Sequence, residues 1–121
     1  MIARVVIPGR MPGLNEYVRA ERANRYAASK MKREQTERAG VAAVEQRMPA
    51  FAGPVDIAFT WVEKDRRRDV DNVAFAKKFI LDGLVRAGVI PDDTPRYVAG
   101  ISDRFSYDAA RPRIEVEVRG S

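Results

Sequence analysis

Asp69-Val70-Asp71-Asn72 follows three consecutive arginines, Arg66, Arg67 and Arg68, and precedes a lysine-bearing stretch and a second acidic pair, Asp92-Asp93. In an extended segment, carboxylates one residue apart point the same way, with Cα atoms about 6.5–7 Å apart at normal strand rise. Their oxygens can then reach one divalent ion. The arginines place positive charge beside that acidic point, where a phosphodiester needs neutralising. A metal held against a basic surface is a recipe for cutting nucleic acid.

Composition narrows the alternatives. The chain of 121 residues contains neither cysteine nor histidine. Disulfides, thiolate metal sites and cysteine nucleophiles are excluded, as are a Ser-His-Asp triad, His-ligated zinc and an imidazole base. Catalysis must therefore rest on carboxylates, lysine, hydroxyls or a metal with oxygen ligands, which points to magnesium or manganese. The net charge of +5 favours a polyanionic partner. A membrane surface is the rival polyanion, but no basic amphipathic stretch carries the bulky aromatic face that such binding prefers. No apolar run approaches the roughly 18–20 residues of a membrane span, and residues 1–8 lack the apolar core of a signal peptide. A cytoplasmic protein with no membrane partner is the simplest expectation.

The elements that must position these groups follow from the residue pattern. Ile2 to Ile7 is β-branched and closed by Pro8, a first strand. After a turn-rich connection through Gly13, the stretch from Asn15 to Arg47 reads as one long helix, kinked at Gly40. Val55, Ile57, Phe59 and Trp61 alternate with Asp56, Ala58 and Thr60, a half-buried strand that runs into a charged loop, Glu63 to Arg68. Asn72 to Ala87 carries Val73, Ala76, Ile80 and Leu84 at helical spacing and stops at Gly88. Tyr97 to Ser106 is a further strand. Ile114, Val116 and Val118 alternate with Glu115, Glu117 and Arg119 in the last one. The order β-α-β-α-β-β predicts an α+β fold, a small mixed sheet packed by two helices, with residues 1–121 forming one domain.

Each acidic residue has a plainer reading. Asp71 or Asn72 can cap the helix that follows, Asp92 and Asp93 suit a Pro-flanked turn, and Asp69 can pair with a neighbouring arginine. Lys78 lies seven residues after Asp71 and four before Asp82, so a continuous helix puts all three near one face, with Lys77 rotated about 100° away. There Lys78 can hold the acids ionised or stabilise a phosphorane-like transition state, or it can be an ordinary exposed lysine.

The segment from Asp69-Val70-Asp71-Asn72 through Lys77-Lys78-Phe79-Ile80-Leu81-Asp82-Gly83-Leu84 to Ala87-Gly88-Val89-Ile90-Pro91-Asp92-Asp93 resembles the RusA-type Holliday junction resolvases, many of them encoded by prophages. Pro12-Gly13-Leu14-Asn15-Glu16-Tyr17 is similar to the opening of phage-type members. The resemblance implies a small mixed α/β domain acting as a homodimer, which cuts four-way or branched DNA with Mg²⁺, Mn²⁺ being a possible substitute, and needs no organic cofactor. Carried over by position, Asp69, Asp71 and Asp93 are its metal-binding catalytic aspartates and Lys78 its catalytic lysine. In compact members the lysine follows the second aspartate by four residues, where this chain has Phe75. Counting back from Asp82 restores it at Lys78 and implies about three extra residues early in the helix.

On this reading Arg66, Arg67, Arg68, Lys77, Arg19, Arg22, Lys30, Lys32 and Arg33 hold DNA phosphates, with steeply salt-dependent binding. A non-catalytic basic nucleic-acid-binding module of phage origin is the alternative, and a structural phage protein whose acids merely cap and turn is a third.

Overall fold

The computed structural model describes residues 1–120. Strand β1 spans Ile2–Pro8, followed by helices α1 (Leu14–Ala23) and α2 (Arg25–Glu45). Strand β2 (Val55–Glu63) leads into helices α3 (Val70–Ala74) and α4 (Lys77–Arg86), and strands β3 (Val98–Tyr107) and β4 (Arg113–Gly120) complete the chain. Taken as helical runs, this is the predicted β-α-β-α-β-β order of an α+β fold.

The strands form one mixed sheet in the order β1-β4-β2-β3. Strand β4 lies between β1 and β2, antiparallel to both. β2 and β3 are parallel, so the chain must cross over between them, and α3 with α4 makes that crossover. Alternation decides which face is covered. Val5 and Ile7 of β1, Ile57, Phe59 and Trp61 of β2, and Ile114, Val116 and Val118 of β4 are all buried in one cluster with Ala39, Ala43, Phe79, Ile80 and Leu84 of α2 and α4. Residues of the opposite phase, among them Arg4, Arg104 and Glu117, lie on the uncovered face.

The long first helix breaks at Asn24, not at Gly40. Asn24 is extended, its N–H closes α1 on Ala20 O, and its side-chain oxygen accepts from Ala27 N at 2.8 Å, capping α2. An asparagine that offers the backbone a side-chain acceptor ends one helix and starts the next at little cost. α2 ends at Glu45, and the Gln46 amide then bonds both Val6 N (2.8 Å) and Val6 O (2.7 Å), covering part of the edge of β1.

Gly40 has a different use. A Cβ on Gly83 would lie 2.7 Å from Ala39 Cβ and 2.8 Å from both Gly40 N and Thr36 O, so α2 and α4 meet backbone to backbone. A Cβ on Gly40 would meet Gly83 O at 3.3 Å. Gly83→Ala is therefore expected to destabilise by about 1–3 kcal/mol, because two helices must separate. Gly40→Ala should cost distinctly less, and equal denaturant midpoints for the two variants would refute the close-approach account.

Candidate functional site

The charged loop after β2 is built from the inside. Glu63 continues the buried phase of β2 and is only 6% exposed. Arg68 folds back onto it with Nε to Oε1 and Nη2 to Oε2, both 2.8 Å, a two-point guanidinium–carboxylate pair. Arg68 Nη1 also donates to Met11 O at 3.0 Å, and Arg10 approaches Glu63 at 3.3 Å. Burial alone raises the carboxyl pKa of Glu63. The bonds and charges of Arg68 and Arg10 outweigh that and hold it below its ordinary value. Arg68 thus belongs to the interior, a correction to its expected place on the DNA-facing flank: its partner Glu63 occupies an inward strand position.

Asn72 is likewise structural. It is buried, and its side-chain oxygen accepts from Asn15 N at 2.9 Å, satisfying a donor of the first turn of α1. A Cβ at residue 13 would fall 2.5 Å from that oxygen and 2.7 Å from Asn72 O, so only glycine fits there. Pro12-Gly13-Leu14-Asn15 and Asp69-Val70-Asp71-Asn72 are thereby one physical unit, though 57 positions separate Asn15 from Asn72.

Asp69 and Asp71 sit on the exposed side of that unit. Asp69 is extended and occupies the N-cap position of α3 without a side-chain capping bond. Asp71 is in the first turn, where its Oδ1 accepts from Asn72 N at 3.0 Å. The pair does not lie in one extended segment as expected, since helix α3 starts at Val70. Both carboxylates are exposed, and neither is engaged in an ion pair among the described residues.

The expected continuous helix from Asn72 is two helices. Bonds from Ala76 N to Val73 O, Lys78 N to Phe75 O and Phe79 N to Ala76 O span three residues instead of four, tightening the chain between α3 and α4. Phe75 anchors this turn, its ring 5.3 Å from Tyr17 and 5.7 Å from Phe79. The break falls where counting back from Asp82 places the extra residues. It removes the seven-residue face relation between Asp71 and Lys78, whereas Lys78 and Asp82 keep theirs within α4. Lys78 is exposed.

Lys77 is committed elsewhere. Its Nζ lies 2.6 Å from Asp103 Oδ2 on β3 and 5.8 Å from the centre of the Phe59 ring. The indole N–H of buried Trp61 donates to the other oxygen, Asp103 Oδ1, at 2.8 Å. A lysine so held is a tether between α4 and the sheet, which corrects its expected place among free phosphate contacts and leaves Lys78 as the unrestrained cation of the two.

Asp93 is in different surroundings. With Asp92, whose Oδ1 accepts from Asp93 N at 2.8 Å, it lines a cleft shared with Asp82 and Arg86 of α4 and Lys32 and Arg33 of α2. Asp69 and Asp71 precede α4 and Asp93 follows it. Among the described residues no three carboxylates lie close enough together to hold a metal ion.

A family model described as Endodeoxyribonuclease RusA matches residues 8–119, nearly the whole chain. The chain belongs to the RusA endodeoxyribonuclease family. No curated protein gives a significant match. Membership makes the chain a DNA-hydrolysing nuclease by family, and no helix among the described residues is long and apolar enough to cross a membrane.

For a RusA-family nuclease the basic residues divide by placement. Arg19, Arg22, Lys32 and Arg33 are exposed on α1 and α2, and Lys30 has only a 3.8 Å surface pairing with Glu34. Arg67 is exposed with a loose 3.7 Å contact to Asp65, and Arg66 lies over the Tyr107 ring. Sequence reasoning missed Glu63 and Asp103. Each is a carboxylate at an inward position of an alternating strand, and that breach of period was the available signal.

Proposed function

We propose that this RusA-family protein is a Mg²⁺-dependent, structure-selective endodeoxyribonuclease that resolves Holliday junctions and related branched DNA as a homodimer. The observation that carries the reading is the exposed Asp69–Asp71 pair, unengaged by cations and mounted on the rigid unit of Asn72, Gly13 and the Arg68–Glu63 bridge. Two oxygen-donor carboxylates suit Mg²⁺ or Mn²⁺, since Mg²⁺ is commonly held by one or two carboxylates plus water and substrate phosphate. Asp69, Asp71 and Asp93 are the proposed ligands. The bound ion would supply Lewis-acid activation of water and relief of developing phosphate charge.

The chain's own residues do the rest. Asp71, fixed against Asn72 N, presents its free oxygen outward. Lys78, exposed on α4 and in no ion pair among the described residues, offers a positive charge to a substrate phosphate. Arg66 and Arg67, with Arg19, Arg22, Lys30, Lys32 and Arg33, bind backbone phosphates and position the strand without reading its bases.

A binding module without cleavage is the second reading, and the separation of Asp93 from the pair favours it. A synthetic four-way junction separates the two. Cleavage in Mg²⁺ or Mn²⁺, none in EDTA, and little on linear duplex of the same sequence is the expected result. Salt-sensitive junction binding with no cleavage in either metal would leave only the binding module.

A further inference from the structure

One exposed aromatic lies in a cationic setting that the metal site does not use. Tyr107 ends β3 and is 43% exposed, and the Arg66 guanidinium carbon sits 4.6 Å from its ring centre. Arg66 is in no ion pair among the described residues, so its contact with the ring leaves its guanidinium N–H groups without a carboxylate partner.

The base beneath the ring is rigid. Tyr107 is in register with Glu63, and Asp108 N donates to Glu63 O at 2.8 Å. Asp108 then accepts from Ala110 N at 3.2 Å and Arg111 N at 3.1 Å and pairs with Arg113 at 3.1 Å. Strand alternation puts Tyr107 on the same face as Asp103, the residue that tethers the start of α4. Arg66 itself lies three positions before Asp69.

We propose that Tyr107, with Arg66 laid over it, is a stacking platform for a nucleobase unstacked at the branch of the DNA substrate. This deepens the nuclease reading above and rests on it. An exposed ring with the Arg66 guanidinium laid over it suits a π-face flanked by phosphate. Intact duplex hides its base faces, and branched DNA with unpaired nucleotides presents them. The platform therefore contributes to choice of substrate rather than to hydrolysis.

The test is binding in EDTA to a junction carrying 2-aminopurine at the branch, beside linear duplex. Tyr107→Ala is expected to weaken junction binding by about 5–150-fold, the range for one lost base–aromatic stack. Tyr107→Leu, which keeps bulk at the strand end without a π-face, should behave as Tyr107→Ala, and Tyr107→Phe as the wild type. Duplex binding should stay unchanged in all three. Wild-type junction affinity in Tyr107→Ala and Tyr107→Leu, or equal loss on duplex and junction, would overturn the proposal. A wild-type protein that shows the Tyr107 effect but never cleaves with Mg²⁺ or Mn²⁺ counts against the nuclease reading alone. One that binds no branched DNA sinks both.

Discussion

Asp71→Asn is expected to lower junction cleavage by on the order of 10²–10⁴-fold, the consequence of several kcal/mol of lost metal-assisted stabilisation at 1.36 kcal/mol per tenfold. Stability should hardly move. Asp71 is exposed, its one side-chain hydrogen bond is to its neighbour Asn72 N, and an asparagine oxygen can accept the same bond. Junction binding should stay level or tighten, since a negative charge facing phosphate is removed. Single-turnover cleavage, junction affinity in EDTA and a melting curve on the same preparation separate these effects. Cleavage at the wild-type rate would show that Asp71 is no ligand. A parallel fall in melting temperature would show that the residue serves the fold instead.

Glu63→Gln should have the opposite profile. The glutamate is 6% exposed and Arg68, its two-point partner, is 13% exposed in its side chain. Removing the carboxylate strands a largely buried guanidinium, and breaking such a pair from one side costs about 3–5 kcal/mol. The pH dependence supplies a second readout. Glu63 titrates below its ordinary value of 4.5, so the unfolded chain binds its proton first as pH falls. Its contribution is therefore complete above about pH 4.5 and is lost as pH drops through the folded-state value. In Glu63→Gln that part of the acid destabilisation should vanish. Denaturant midpoints measured between pH 7 and pH 3 test both effects. A loss under about 1 kcal/mol with an unchanged acid slope would remove the bridge from its structural role.

Much of the fold was legible because burial leaves its period in the strands. Val55 to Trp61 and Ile114 to Val118 alternate cleanly, and the sheet uses them as expected. Helix boundaries were harder. The break at Asn24 depends on one side chain choosing a local backbone donor, and neighbouring alanines and charges conceal it. The break at Phe75 depends on ring packing against Tyr17, a partner 58 positions away that periodicity cannot reveal. The acidic motif was visible at once, but its parts were not separable by residue type. Asn72 and Arg68 sit beside Asp69 and Asp71 in sequence, yet they face inward, because their partners Asn15 and Glu63 come from other elements. Lys77 and Lys78 differ only in what lies opposite, and Asp103 is a strand away. That Asp93 lies beyond the far end of α4 from the aspartate pair could be read from sequence order, whereas the cleft it lines with Lys32 and Arg33 of α2 could not.

The central place of β4 bears on how the chain comes to be folded at all. During synthesis β1 is made first, and its only strand partner, β4, is made last. β2 can meet β3 earlier, through the α3–α4 crossover, but its other edge also waits for residues 113–120. The sheet is therefore closed by its final segment, joining strands more than a hundred residues apart, a contact pattern that favours slow, cooperative folding. A nascent chain that stops before β4 has only the two-stranded β2–β3 pair to fall back on. It carries an apolar β1 with no neighbour, a state exposed to aggregation until the last eight strand residues arrive.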